Sequence, residues 1–257
     1  MPSWNDQTPR AVSRELTIGV AVLGAAVAAW IVTYRRMRGV DMGPGTDLGE
    51  LPWFVGVWVV MMAAMMLPSL LPATLAFADL ASRRATGARP APTGSFVAGY
   101  LLAWTGFGLL AYAVYRVAAA VAPAALAWSH AGRFVAAGAL LGAAAYELTP
   151  LKHSCLRRCR GVVALIGRWR DRASGALRMG AEHGLDCIGC CWGLMAALFA
   201  LGVMSLTWMA TIALAVAAEK VLPRGERVVP AVAACLAVGG VWIAVAPASL
   251  PGLHVPH

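Results

Sequence analysis

Charge is what this chain has least of. Only 13% of its 257 residues are charged, while 60% are hydrophobic and the mean hydropathy is +0.70. A soluble domain carries about a quarter charged residues, so this composition excludes an ordinary soluble fold and directs the chain to a bilayer. Short segments of alternating polarity are also missing, which excludes a β-barrel; the apolar residues come in long runs instead. A run that buries its backbone in hydrocarbon must satisfy its own hydrogen bonds, and a helix does so locally. No glycine-rich phosphate loop, G-x-S-x-G elbow or H-E-x-x-H pair occurs, so neither an ATP-driven pump nor a hydrolase is indicated. Internal repeats, low-complexity tracts and a second soluble domain are absent as well. The expectation is a single all-α integral membrane domain over residues 1–257, more a binding or transport protein than an enzyme.

The apolar runs predict a polytopic transmembrane helical bundle of about seven spans: 17–34, 53–79, 95–119, 132–149, 185–203, 204–221 and 227–246. Little polar sequence separates the fifth from the sixth, and Gly202 is the best turn residue there; a single long helix in their place lowers the count to six. The start, MPSWNDQTPRAVSREL, is too polar for a cleavable signal and leads into a run long enough to span, so it reads as a retained first helix. The stretch 87–94 (GARPAPTG) is an ordinary connector.

A net charge of +9 is better explained by loops flanking membrane spans than by nucleic-acid binding. With the N-terminus cytoplasmic, sixteen of the 21 lysines and arginines fall inside, eight of them in a basic loop at about 150–184. Arg35, Arg36 and Arg38 dissent. A bacterial-type plasma (inner) membrane is the expected location, with the lipid bilayer as the first partner.

Chemistry concentrates in three places. Met61, Met62, Met65 and Met66 precede Pro68 and Pro72 in the second span and fall within about 140° of a helix circumference. Neutral thioethers suit Cu(I), although methionine is also a flexible core filler. The prolines are expected to bend this helix just beyond the methionines. The second place is Tyr146–Arg160, where Glu147 closes the fourth span as a carboxylate that is costly unless paired, ligating a metal or close to the interface, and Cys155 and Cys159 are spaced to share a helical face. His153 could join them, and the surrounding Lys152, Arg157, Arg158 and Arg160 would support thiolates; two ordinary reduced cysteines are the plainer reading. The third is His183-Gly-Leu-Asp-Cys187-Ile-Gly-Cys190-Cys191-Trp192. On a helix, His183, Cys187, Cys190 and Cys191 fall within about 100° of one face. Three Cys and a His form a ligand set for Cu(I), Zn(II) or an iron–sulfur centre, and C-x-x-C is also a dithiol redox pattern. Five of the six cysteines thus gather in one layer, while Cys235 reads as a small apolar residue. Met195, Met204 and Met209 continue the methionine theme. Glu219 pairs with Lys220, a basic neighbour, a proton or a cation. His254 and His257 lie in a short tail and carry no argument.

The blocks MMAAMMLPS (61–69), YELTPLKHSCLRRCR (146–160) and GLDCIGCCWGLMAALFALGVMSLTWM (184–209), with Glu219-Lys220 after them, together resemble the DUF2182 family of predicted metal-binding integral membrane proteins. The resemblance runs from the second span to about residue 222 and implies metal handling by the Met, Cys and His positions above. Soft donors make copper the leading metal, with zinc second. The expectation is therefore a copper-handling protein, acting in transport or delivery with a metallochaperone or copper-enzyme partner. The competing expectation is a membrane thiol–disulfide oxidoreductase that passes electrons between Cys187/Cys190 and Cys155/Cys159. A subunit that needs a metal only to fold is the third.

Overall fold

A computed structural model describes residues 4–37, 48–84, 92–121, 132–161, 167, 172–202 and 205–246. Part of the 87–94 connector, Arg38, Met204, His254 and His257 lie outside these residues. Among the described residues the chain is all-helical: α1 (Trp4–Met37), α2 (Leu51–Arg84), α3 (Thr93–Val121), α4 (Arg133–Glu147), α5 (Pro150–Arg160), α6 (Arg172–Leu201), α7 (Leu206–Val221) and α8 (Val229–Val245), with a 3₁₀ turn at Gly225–Arg227 before α8. No strand occurs among them.

Among the described residues five segments are long and apolar enough to cross a membrane: α1, α2, α3, α6 and the turn-plus-α8 segment. A sixth is added if α4 and α5, bent by 67° at their junction, count as one span. The sixth expected span, 204–221, is α7, whose 16 residues fall short of the roughly 20 that cross hydrocarbon. Its separation from α6 does occur where expected: Gly202 has φ 106° and ends the preceding helix, a conformation that glycine adopts without Cβ strain.

Most of the basic segment expected as a loop at 150–184 is helix instead. Thr149 is an extended N-cap whose hydroxyl accepts from the Lys152 backbone N–H at 3.3 Å, and Pro150 follows in the first turn. A capping hydroxyl followed by proline is a strong local signal for a new helix. Further along, α6 begins at Arg172, so His183 sits mid-helix.

The expected bend in α2 is not a break. The helix continues through Pro68 and Pro72, and here the Ser69 and Thr74 hydroxyls donate to the carbonyls of Met66 and Leu70. All four methionines of this stretch are buried, with Phe54 and Trp58 on the preceding turns. Helix α1 packs on α2, where Arg14 lies 4.0 Å from Asp79. The opposite side of α1 exposes Leu16, Val20, Leu23 and Val27.

The most extensive helix pairing joins α3 to α6, and glycine makes it close. A Cβ on Gly99 would collide with the Leu177 carbonyl, and one on Gly180 with the Phe96 carbonyl. Small residues let helix backbones approach in this way, trading side-chain bulk for dispersion contact. The close crossing seats Phe96, Tyr100 and Trp104, all buried, along the face of α6. Gly180→Val should force the pair apart, and overpacking of this kind costs about 1–3 kcal/mol. Thermal unfolding of the detergent-solubilised protein should show a lowered midpoint, whereas an unchanged midpoint would mean that the contact does not organise the bundle.

Candidate metal centre

Cys187, Cys190 and Cys191 occupy positions i, i+3 and i+4 of α6, so one face carries all three thiols. Cys159 reaches that face from the last turn of α5. The Sγ atoms of Cys159, Cys187 and Cys190 all lie within 4.8 Å of one another, and all three residues are buried. Cys190 Sγ is 3.3 Å from Cys191 Sγ and 3.2 Å from the Cys187 carbonyl. All six cysteines are free thiols.

Two polar groups meet Cys187. Tyr100 Oη of α3 lies 3.0 Å from its sulfur, and Lys220 Nζ of α7 lies 2.7 Å from it. Lys220 also approaches Ser69 Oγ of α2 at 3.5 Å. Helices α3 and α7 therefore meet at the sulfur that α6 carries, and α2 reaches it only through Lys220. The ammonium offsets negative charge that metal-bound thiolates would bring into a buried site, where uncompensated charge is costly. His183 Nε2 stands 4.0 Å from Cys159 Sγ, with its ring near Phe96 and Tyr100. A cleft of about 60 Å³, lined by Ser69, Pro72, Cys159, Gly161, His183 and Lys220, reaches this edge of the thiol group.

The donor set suits a soft ion. A metal–thiolate bond is about 2.3 Å, so two sulfurs on a linear centre stand about 4.6 Å apart and three around a trigonal one about 4.0 Å. The three thiols, all within 4.8 Å of one another, need a closing of up to about 0.8 Å to share one ion. Thiolates select Cu(I), zinc or iron–sulfur clusters over hard cations.

The predicted site residues divide accordingly. Cys159, Cys187 and Cys190 come together, with Cys191 and His183 beside them. Cys155 is half-buried and packs on Gly189, where a Cβ would stand 2.7 Å from its sulfur. His153 stays out of the group: two residues before Cys155, it points to the other side of α5, since two helical steps turn a side chain by about 200°. Glu147 belongs elsewhere, with its Oε2 at 2.6 Å from Lys152 Nζ. Glu219 turns away from Lys220 and pairs with Lys152 at 2.7 Å. The methionines Met61, Met62, Met65 and Met66 are buried one turn and more before Ser69. The sequence reading passed over Tyr100, which carries no local signal because its partner lies 87 residues away. Lys220 was read only as a partner for Glu219, whereas it turns to the Cys187 sulfur.

The fold is an all-helical bundle with a buried cluster of three thiols that could hold a metal ion. Residues 55–243 match the sequence model of the PpoB2 family, described as "Copper chaperone". The match covers well over half of the chain, so the chain belongs to that copper-related family; this agrees with the metal handling that the DUF2182 resemblance implied, while the family matched carries the name PpoB2, not DUF2182. No curated protein and no solved structure matches.

Burial also predicts thiol reactivity. Cys155 should react with a water-soluble maleimide in the folded protein, whereas Cys159, Cys187, Cys190 and Cys191 should not until it is denatured. Mass spectrometry of the labelled protein reads this directly, and labelling of Cys187 at the rate of Cys155 would contradict the buried site.

Proposed function

We propose that this chain is a membrane-embedded copper-handling protein that takes Cu(I) as cargo into a thiolate site made by Cys159, Cys187 and Cys190, and hands it on to a partner. The observation that carries this reading is the meeting of those three buried sulfurs within 4.8 Å, in a chain of a copper chaperone family. Thiolate ligands must be deprotonated, and loading therefore releases protons. Lys220 and Tyr100 hold Cys187 in place and offset its charge. Cys191 and His183 stand where they can accept the ion next, and half-buried Cys155 can receive it from outside the cluster. Staggered soft donors let an ion move by ligand exchange, because no single site binds it too tightly to leave. The four methionines of α2 would form a weaker thioether station further along that helix.

The five long apolar helices support residence in a bilayer. The basic residues favour a cytoplasmic N-terminus in a bacterial-type inner membrane. A metallochaperone or a copper enzyme is the fitting partner class, because the chain shows no motif for ATP-driven movement.

Elemental mass spectrometry on anaerobically purified protein tests the reading, beside a Cys187→Ser/Cys190→Ser variant and a Cys159→Ser variant. Near-stoichiometric copper in the parent and little in either variant is expected. No metal in the parent after loading with Cu(I) would overturn the proposal and favour thiol–disulfide exchange; stoichiometric zinc instead would overturn the copper assignment. Replacing Met61, Met62, Met65 and Met66 by leucine should spare the bound copper but slow its release to an acceptor chelator. Lys220→Met should weaken Cu(I) affinity by about 10–100-fold, the range found when groups supporting metal ligands are removed. Competition with a chromophoric Cu(I) chelator measures both effects.

A further inference from the structure

Three charged side chains are sealed together beside the thiol site. Glu147 from the end of α4, Lys152 from the first turn of α5 and Glu219 from the last turn of α7 are exposed by 0%, 0% and 1%. The Lys152 ammonium bridges the two acids, 2.6 Å from Glu147 Oε2 and 2.7 Å from Glu219 Oε2. One cation thus faces two carboxyl groups. The far oxygens, Glu147 Oε1 and Glu219 Oε1, are buried and accept no hydrogen bond.

Among the described residues no second cation pairs with the two carboxyl groups. From α5, Arg160 comes close, but its three contacts there are to backbone: Nη1 donates to the Glu219 carbonyl at 2.5 Å and Nη2 to the Leu222 and Pro223 carbonyls at 2.6 and 3.4 Å. Lys220, next along α7, turns to Cys187. From α6, the Cys191 thiol lies within electrostatic reach of Lys152, and Tyr146 of α4 donates to the Gly189 carbonyl. Asp186 and His183 are the other buried titratable side chains of α6 apart from the thiols. In the following turn Arg224, Glu226 and Arg227 are exposed.

Two ionised carboxylates and one ammonium leave a net negative charge in a low-dielectric site, an arrangement whose uncompensated ion costs several kcal/mol. Like charges held close do not both ionise when one proton can serve them. We propose that Glu147, Lys152 and Glu219 form a proton-binding site in which one proton is held by the two carboxyl groups while Lys152 stays charged. The bound proton sits on a far oxygen of one acid, supplies the missing donor there, and makes the triad neutral. Binding forms one O–H bond on the acid and breaks one on the hydronium that delivers the proton from bulk water, so no other co-reactant is needed. Titration of such a pair belongs to the two acids jointly rather than to either alone. The site stands whether or not the thiols carry copper.

Infrared difference spectroscopy of the full-length protein in detergent, without metal, tests it. At neutral pH the wild type should show the carbonyl-stretch band of a protonated carboxyl group, sensitive to exchange into heavy water. That band should vanish in Glu147→Gln and in Glu219→Gln, where one remaining carboxylate pairs with Lys152, and should survive in Asp186→Asn. Absence of the band in the wild type, or its persistence in both glutamine variants, would overturn the proposal. Loss in Asp186→Asn would assign it to another acid and overturn it equally. If a glutamine variant loses helicity by circular dichroism, carbon-13 glutamate in the wild type decides instead: the band must shift with that label, and a band that does not move rules the site out.

Discussion

The whole site hangs on the way α5 is held. This 11-residue helix is too short to be stable alone, since helices under about 12–15 residues are marginal in water. Its two ends are fastened. Lys152 in the first turn lies between Glu147 and Glu219, and Arg160 in the last turn caps the carbonyls at the end of α7. Breaking a buried ion pair by removing one partner costs about 3–5 kcal/mol, so these contacts fix an orientation that propensity could not. Fixed in this way, α5 has one side left to offer α6, and that side carries Cys155 and Cys159.

The other half of the site depends on backbone proximity. Gly99, Gly180 and Gly184 remove the side chains that would separate α3 from α6, and Tyr100 then reaches Cys187. Helix α7 completes the enclosure with two successive residues of opposite charge. Glu219 reaches the ion triad and Lys220 the thiol cluster, so one helical turn serves two neighbouring polar centres within an apolar bundle. Buried polar groups survive in such surroundings only when partnered, and here the partners come from helices distant in sequence.

The features legible in the sequence are those set by local periodicity. Scarce charge and long apolar runs give the helical class, the spacing of Cys187, Cys190 and Cys191 gives a shared face, and Gly202 gives the break after α6. The joining of Cys159 to that face was legible only as a coincidence of layers. The distances needed the bend at Thr149-Pro150, whose capping signal was hidden inside a stretch that read as a basic loop. Lys152 looked like one more loop cation because its two carboxylate partners lie 5 and 67 residues away. Long-range pairing leaves no periodic trace, which is also why Tyr100 went unnoticed. The expected seven spans, or six, become five or six among the described residues for a related reason: hydropathy measures how apolar a segment is, while α7 is apolar but only 16 residues long.

The central claim is that copper is held by sulfur alone, contributed by two helices. X-ray absorption at the copper edge, on protein loaded with one Cu(I) under argon, tests it most directly. The account predicts a cuprous edge and a first shell of two or three sulfur neighbours, reduced in number by Cys159→Ser. A first shell of nitrogen or oxygen, or an all-sulfur shell indifferent to Cys159, would contradict it.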